Sequence, residues 1–223
     1  MANARLIERV PWDCAALGQD AFELANAGPE ALAQVKAPGH YTVKVDPLES
    51  KLALHHNGFY YCDTLVEPYC AAGQVRAFPH AAAGFDPRPA LEPLLAACRG
   101  AFRHGRFHRD FNVERGRADL RYESWLRALH AADKVYGLTW DNESAGFIAR
   151  EEGKLALHAL GEKHRGRGLA KYLWSAVCAD LAAQGAREIT SSISAANVAA
   201  LGLYAALGFR FRNPLDVYHR VIP

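Results

Sequence analysis

Cysteines and long apolar runs are both scarce in this sequence, and each shortage excludes classes of protein. The chain of 223 residues has five cysteines, widely spaced and without a C-x-x-C pair. An odd, scattered set speaks against a disulfide framework or a zinc site and fits the reduced thiols of a cytosol. No apolar segment resembles a signal peptide or spans a bilayer. We therefore expect a cytoplasmic protein that has no membrane partner.

An excess of charge of one sign is also missing. Lys and Arg total 26, Asp and Glu total 24, and the net charge is +2. A basic stretch over residues 99–121 is interrupted by Asp110, Glu114 and Asp119 and contains no known nucleic-acid-binding signature. We expect no nucleic-acid partner. Half of the residues are apolar, which is enough for a folded core.

Helix and strand patterns alternate along the chain and predict two domains. In residues 1–72, a strand at 41–45, a helix at 48–56 and a strand at 59–66 indicate a small α/β domain. Residues 73–223 predict a second domain with strands at 74–78, 135–140, 145–150, 154–160 and 187–193, helices at 87–102, around 122–129, 168–183 and 196–207, and a final strand pair at 209–222. This order predicts a mixed α/β sheet with helices on both faces.

Two segments of the chain resemble each other. Residues 50–59 (SKLALHHNGF) and 200–209 (ALGLYAALGF) both predict a helix followed by Gly-Phe and a strand. A true repeat and a coincidence of two capped helices explain this equally well. A repeat would make the N-terminal domain a truncated copy of part of the second domain.

The strongest local signal is the segment His164-Arg165-Gly166-Arg167-Gly168-Leu169-Ala170, between a predicted strand and a predicted helix. Small residues let the backbone approach a ligand closely. Free amides at a helix N-terminus favour an anion such as a pyrophosphate. The simpler alternative is a glycine-rich turn with two solvated arginines.

A second signal about thirty residues later makes the first one specific. Asn197 is followed seven residues on by Tyr204, and Gly208-Phe209 then closes the helix. Together with the R-x-x-G-x-A pattern of residues 165–170, this resembles the GNAT (Gcn5-related N-acetyltransferase) superfamily over residues 73–223. A dinucleotide-binding fold is disfavoured because G-x-G-x-x-G is missing.

The resemblance implies an acetyl-CoA-dependent acyltransferase with a GNAT fold, preceded by a smaller α/β domain that resembles a truncated GNAT unit. It assigns the CoA pyrophosphate to the amides of 165–170, the pantetheine arm to the strand end at His158 to Leu160, and a further contact to Asn197. Tyr204 would be the general acid. A phenol with a pKa near ~10 can protonate a thiolate whose thiol has a pKa near ~8.5. The alternative for Tyr204 is packing between helices.

The general base stays open at this stage. His158 and Glu162 lie near the implied site, but they also fit a solvent-facing strand residue and a charged loop residue. An amine can lose its proton to water without a base.

A narrower resemblance concerns the acceptor. The segments Val10-Pro-Trp-Asp13 and Asn57-Gly58-Phe59, the stretch 101–108 (AFRHGRFH) and the later Tyr122-x-x-Trp125 are similar to the TDP-fucosamine acetyltransferase family, with Gly105 where that family has serine. This implies the amine of a nucleotide-linked amino-dideoxy sugar used in surface polysaccharide biosynthesis. The implied substrate-binding residues are Arg106, Phe107 and His108, which could also form a solvated basic surface and part of the core.

Other functions remain compatible with the sequence. The acceptor amine could belong to a peptide, a polyamine or an antibiotic, and a non-catalytic acyl-CoA-binding regulatory module is a further alternative. No metal is expected, because His104 and His108 have no Cys or carboxylate partners in a known pattern. A homodimer formed through the final strands is compatible with the sequence.

Overall fold

A mixed β-sheet runs through the computed structural model, which describes residues 5–223. The strands are β1 (Ile7–Arg9), β2 (Ala21–Leu24), β3 (Gly39–Val45), β4 (Tyr60–Ala71), β5 (Ala83–Asp86), β6 (Val135–Trp140), β7 (Glu143–Glu151), β8 (Lys154–Leu160), β9 (Glu188–Ser191), β10 (Ile193–Ser194) and β11 (Arg210–Ile222). The helices are α1 (Pro11–Leu17), α2 (Pro29–Leu32), α3 (Leu52–His56), α4 (Leu91–Cys98), α5 (Arg106–Arg109), α6 (Arg115–Ala131), α7 (Ala170–Ala183) and α8 (Val198–Ala206).

The strand order is β1-β2-β3-β11-β4-β9-β8-β7-β6-β5, and the short β10 pairs with β4. Two neighbouring pairs are parallel, β2 with β3 and β8 with β9. All the other pairs are antiparallel. The predicted mixed α/β sheet is therefore confirmed.

Strands β4 and β11 form the centre of the sheet and are related by an approximate two-fold symmetry. Each follows a helix and a Gly-Phe pair, α3 with Gly58-Phe59 and α8 with Gly208-Phe209. They pair antiparallel, with Tyr60 opposite His219 and Tyr69 opposite Arg210. Strand β11 also pairs with β3, and β4 also pairs with β9.

The two segments that resemble each other in sequence thus occupy equivalent places in the fold. Both contain a glycine in the left-handed region, with φ of 72° at Gly58 and 90° at Gly208, as expected for a residue that ends a helix. Both phenylalanines are buried, each in a separate core cluster. The structure favours a true repeat, and the sheet continues across the predicted boundary at 72/73, which stays a prediction.

Helices cover both faces of the second half of the sheet. Ile148 of β7 points into the core beneath α7, while its neighbours Phe147 and Ala149 point into the core beneath α4 and α6. This alternation follows from the two-residue period of a strand. No helix within residues 5–223 has the length and apolar character needed to cross a membrane.

Two predicted strands are wrong. Residues 74–78 form no strand, because the first strand of this half is β5, and residues 72–74 form a short 3₁₀ turn. The final strand pair is a single strand, β11, whose register shifts between Arg212 and Leu215 where Asn213 has a φ of 50°. Asn213-Pro214 has the composition of a turn but forms a β-bulge. Since β11 has partners on both edges over residues 216–219, that segment offers no free edge to a second copy.

Candidate active site

Strands β8 and β9 separate soon after they meet, and this separation opens a cavity. Their parallel pairing includes Lys154 opposite Thr190 and Leu155 opposite Ser191. Beyond Leu155, β8 continues to Leu160 and its β9-facing edge borders a cavity of about 1090 Å³. An extended ligand arm can form backbone hydrogen bonds with such an edge, as an added strand would.

The loop before α7 offers unpaired backbone amides at one end of this cavity. Gly166 and Gly168 have φ of 70° and 71°, and a Cβ at either position would have no atom within 4 Å. Within residues 5–223, no backbone or side-chain acceptor takes the amides of 166–170. They precede and begin a helix of 14 residues, whose dipole favours an anion at this end. The loop therefore fits a pyrophosphate.

The two arginines of the loop have different surroundings. Arg165 donates to backbone carbonyls, from Nε to Leu160 at 2.7 Å and from Nη2 to Ala97 at 3.2 Å. Its guanidinium therefore fastens the loop to β8 and α4. Arg167 is exposed and donates to the Lys163 carbonyl at 3.4 Å. Of the two, Arg167 is the one free to contact an anion.

The cavity brings together several residues that the sequence singled out. Asn197 lines it and also caps α8, because its Oδ1 accepts from the Ala200 amide at 3.1 Å. The predicted cofactor-binding residues on its wall are His158, Leu160, Arg165, Gly166, Ala170 and Asn197. Arg167, Gly168, Leu169 and Glu162 are not among the wall residues.

Tyr204 lies behind the cavity wall. Its side chain is completely buried, and its hydroxyl lies 2.9 Å from Nε2 of His158, which itself lines the cavity. Ser191 Oγ is 3.3 Å from the same nitrogen and donates to the Leu155 carbonyl. The hydroxyls of Tyr204 and Ser191 and Nε2 of His158 are all paired when the Tyr204 hydroxyl donates to Nε2 of His158. One hydrogen bond therefore separates Tyr204 from the cavity.

Burial shifts the acid–base properties of this pair in defined directions. Loss of solvation lowers the pKa of His158 to about 4, so its imidazole is neutral near pH 7. Burial raises the pKa of Tyr204 above its usual value of 10.0, so it keeps its proton. The pair consists of a neutral acceptor facing the cavity and a neutral donor behind it.

The opposite wall comes from the start of the chain and from α5 and α6. Arg106 lies on this wall with an unpartnered, buried Nε, and its guanidinium stacks 4.8 Å from the ring centroid of Phe107. Burial, together with the nearby charge of Arg121, lowers the pKa of Arg106. His108 is not a wall residue and lies 3.0 Å from Asp119. Of the three predicted substrate-binding residues, the structure places Arg106 and Phe107 on the cavity wall.

Sequence reasoning assigned no role to the two buried acidic residues of the cavity wall, Asp13 and Asp63. Asp13 accepts from Nε of Arg121 at 2.9 Å, and both side chains lie on the wall. Asp63 is fully buried in β4 and accepts at Oδ1 from Arg109 and Ser194, each at 2.7 Å. The sequence does contain one signal for Asp63, because its carboxylate lies in a segment whose other residues indicate a buried strand.

A buried cluster behind this wall has the composition of a metal site. Oδ2 of Asp110 lies 3.0 Å from Nε2 of His40 and 2.7 Å from Nδ1 of His219, while Oδ1 accepts from the Tyr60 hydroxyl at 2.9 Å. These distances are those of hydrogen bonds, and the carboxylate is satisfied by them. Burial alone would raise the pKa of Asp110, but the bonds from His219 and His40 outweigh it and lower that pKa. The cluster fastens the loop after α5 to the sheet.

Comparison with known structures identifies the class of this fold. The structure resembles a GCN5-related N-acetyltransferase from Sphaerobacter thermophilus, with a TM-score of 0.63 and 13% identity over 96% of this chain and 76% of that chain. A protein assigned to the GNAT acetyltransferase family from Novosphingobium aromaticivorans gives 0.57 and 18% over 98% and 89%. A tandem GNAT protein from the clavulanic acid biosynthesis pathway gives 0.54 and 11% over 90% and 75%. The fold is therefore that of GNAT acetyltransferases.

The sequence comparison supports the same class over the second half of the chain. Residues 112–219 match the model of the acetyltransferase (GNAT) domain. No curated protein sequence matches the chain. Residues 112–219 therefore correspond to a GNAT acetyltransferase domain, which together with the fold supports an acyltransferase, and a domain of this kind implies acetyl-CoA as co-substrate. The free amides of 166–170 and the exposed edge of β8 fit that molecule.

Proposed function

We propose that this chain transfers the acetyl group of acetyl-CoA directly to the primary amine of a nucleotide-linked amino-dideoxy sugar. The observation that carries the proposal is the shared cavity of about 1090 Å³, which joins the β8 edge to the wall that holds Arg106. One end fits a pyrophosphate and an extended arm. The other end presents a cation and several aromatic side chains.

The cofactor end is supported by backbone groups. The amides of 166–170 can donate to the CoA pyrophosphate at the N-terminus of α7, and the edge of β8 between Leu155 and Leu160 can pair with the pantetheine arm. Asn197 contributes a side chain already fixed by its capping bond, so little conformational entropy is lost when it meets the arm.

The acceptor end supports an anionic molecule that carries a flat ring. Arg106 is a wall cation whose Nε lacks a partner, and a sugar nucleotide has a diphosphate to occupy it. The aromatic side chains on this wall are Trp12, Phe102, Phe107, Tyr122 and Trp125. Phe107 and Tyr122 are buried, so the side chains that can stack on a base are Trp12, Phe102 and Trp125. The TDP-4-amino-4,6-dideoxyhexose class combines these features with a primary amine, which suits a cytoplasmic step of surface polysaccharide biosynthesis.

The chemistry assigns distinct roles to His158 and Tyr204. Acetyl-CoA supplies a thioester, the amine attacks its carbonyl carbon, and the C–S bond breaks to release CoA as the thiol. His158 faces the reacting groups, and Tyr204 is the proton donor behind it. Tyr204 acts as general acid toward the leaving sulfur when its hydroxyl is released from His158.

Thiol release from acetyl-CoA by the purified protein tests the proposal. The acceptors are TDP-4-amino-4,6-dideoxy-galactose and its glucose epimer, their UDP and GDP relatives, a lysine peptide, spermidine and an aminoglycoside. Strong turnover of one sugar nucleotide supports the proposal and identifies the nucleotide. Turnover of a peptide, polyamine or antibiotic alone would reject the sugar acceptor. Tight acetyl-CoA binding with no turnover would favour a non-catalytic regulatory module.

A further inference from the structure

Asp63 belongs to β4 and forms part of the cavity wall, although its side chain has no exposed surface. The short strand β10 pairs with β4 and places Ser194 against Asp63. Ser194 and Asn197 also line the cavity, as does His158. The carboxylate therefore belongs to the same wall as the groups that fit acetyl-CoA.

The two oxygens of this carboxylate are bonded very unequally. Oδ1 accepts from Nη1 of Arg109 at 2.7 Å, from Oγ of Ser194 at 2.7 Å and from the amide of Thr64 at 2.9 Å. Oδ2 is buried and has no donor. A buried carboxylate oxygen without a partner is costly, and such a group in a native protein needs an explanation, of which a bound ion and a catalytic role are two.

Like most of the other carboxylates of the wall, Asp63 has a cationic partner, but it differs from them in having a buried oxygen without a donor. Asp13 is paired with Arg121 at 2.9 Å, Glu23 with Lys44 at 2.6 Å and Glu151 with Lys134 at 2.8 Å. Glu8 is exposed. Throughout residues 5–223, Oδ2 of Asp63 is the buried carboxylate oxygen that lacks a donor.

We propose that Asp63 binds the ammonium group of the acceptor through Oδ2 and takes up its proton before acetyl transfer. This inference rests on the proposed N-acetyltransferase function. It assigns the general base, a role for which the sequence offered only His158 and Glu162 as candidates. The N–H bond of the ammonium breaks and an O–H bond forms on Asp63, which leaves a neutral amine. After that amine attacks the thioester, Tyr204 protonates the leaving CoA sulfur, the second amine proton restores the Tyr204 hydroxyl, and Asp63 returns its own proton to water.

The surroundings of Asp63 keep the carboxylate usable as a base. Burial raises its pKa above the usual 3.8, opposed by the hydrogen bond from Ser194 and the charge of Arg109. The titratable groups whose charges interact with it are Arg109 and Arg106 of α5, Cys62 on its own strand and Tyr122 of α6. Because Oδ2 has almost no exposed surface, the side chains around it must move aside when the ammonium enters.

The test compares the wild-type protein with Asp63→Asn, which keeps the shape of the side chain and removes the base. The acceptor is TDP-4-amino-4,6-dideoxy-galactose, or whichever panel amine turns over. We expect kcat/KM at pH 7.5 to fall by about 100-fold, within the range for loss of a general base. The acidic limb of the pH–rate profile should disappear, and the Kd for acetyl-CoA should not change. An unchanged pH profile would overturn the inference while the proposed function stands.

Equilibrium binding separates this inference from the proposed function. The wild-type protein should bind the amino sugar nucleotide more tightly than TDP-6-deoxy-galactose, its hydroxyl analogue, and Asp63→Asn should lose that preference. Equal affinities for the two ligands in the wild type would contradict the role of Asp63. A preference that depends on Asp63 without any turnover would contradict the proposed function and retain the ammonium site.

If Asp63→Asn does not fold, Ser194→Ala tests the same inference. The variant retains the carboxylate but removes a hydrogen bond that lowers its pKa. The acidic limb of the pH–rate profile should therefore move to higher pH. A limb that stays in place would show that another group titrates.

Discussion

Tyr204 reaches the cavity through His158. The hydroxyl of Tyr204 lies 2.9 Å from Nε2 of His158, and His158, unlike Tyr204, belongs to the cavity wall. A sequence motif identifies the tyrosine, but the imidazole in front of it determines what the tyrosine can contact. The catalytic role proposed for Tyr204 therefore depends on both residues.

Replacing Tyr204 by phenylalanine removes the proton donor and leaves its ring in the core. We expect kcat to fall by about 100-fold with an unchanged Kd for acetyl-CoA, because the loop amides and the β8 edge are untouched. Steady-state kinetics with isothermal titration checks both values. Tyr41→Phe is the matched control, since its buried hydroxyl donates to the Ala37 carbonyl away from the cavity. A wild-type kcat in Tyr204→Phe would exclude the acid role.

His158 should make the protein less stable in mild acid. Its pKa is lowered to about 4 in the folded state, whereas an unfolded histidine titrates near 6.5. Between these values the unfolded chain binds more protons, so the free energy of unfolding falls as pH drops from 6.5 toward 4. The effect is on the order of 3 kcal/mol for this residue. Urea unfolding of the wild type and His158→Gln at pH 7 and pH 4.5 measures it.

A smaller pH dependence should persist in His158→Gln. Burial also lowers the pKa of His219, to about 3, so this residue contributes with the same sign. If the variant and the wild type lose the same free energy between pH 7 and pH 4.5, His158 is not held neutral by the fold.

Substitution of Arg106 should weaken binding of the acceptor and leave binding of acetyl-CoA unchanged. Its Nε has no partner on the cavity wall, so Arg106→Gln removes a charge available to the acceptor diphosphate. We expect the KM of the acceptor to rise by roughly 10- to 100-fold, since hydrogen bonds to charged groups contribute about 1.5–3 kcal/mol. The KM of acetyl-CoA should stay within twofold. Arg103→Gln, an exposed neighbour, is the control. Equal effects of the two variants would indicate general electrostatic attraction.

Gly166 should be required for the shape of the anion-binding loop. Its φ of 70° costs an L-residue about 1–2 kcal/mol, although a Cβ there would clash with nothing. Gly166→Ala should therefore weaken acetyl-CoA binding by about tenfold because the amides shift, with little change in the acceptor KM. Isothermal titration measures the change.

The control for Gly166 is Gly202→Ala within α8. A Cβ at Gly202 also meets no atom within 4 Å, and its φ lies outside the left-handed range. This variant should gain about 1 kcal/mol of stability, because alanine is the better helix former. If Gly166→Ala bound acetyl-CoA as the wild type does, the loop conformation would not matter for binding.

Local patterns predicted the elements that local interactions determine. Strands β6 and β8 have the predicted bounds, and α7 and α8 lie within two residues of theirs. Strands β6 and β7 are joined by a tight turn at Asp141 and Asn142, which tolerate the left-handed region and have φ of 51° and 65°. The loop of residues 165–170 was singled out because its small residues let the backbone approach a ligand, and its role in binding an anion stays a prediction.

The remaining features depend on contacts between distant residues. The hydrogen bond between Tyr204 and His158 spans 46 positions, and the bond between Ser194 and Asp63 spans 131. No periodicity encodes either contact. The turn-like Asn213-Pro214 was misread because neighbouring strands on both sides decide whether such a dipeptide bends or bulges.

Strand β11 belongs to the second half of the chain but pairs with β3 and β4 of the first half, and this pairing has a consequence for biosynthesis. Strand β11 lies between β3 and β4 in the sheet. The edges of β3 and β4 that pair with β11 therefore have no partner on the ribosome until residues 210–222 have been synthesised. Contacts between residues so far apart are slow to form, and unpaired strand edges are prone to aggregation. In a nascent chain these two edges therefore stay unpaired until β11 has been synthesised, and the sheet is completed only after that point.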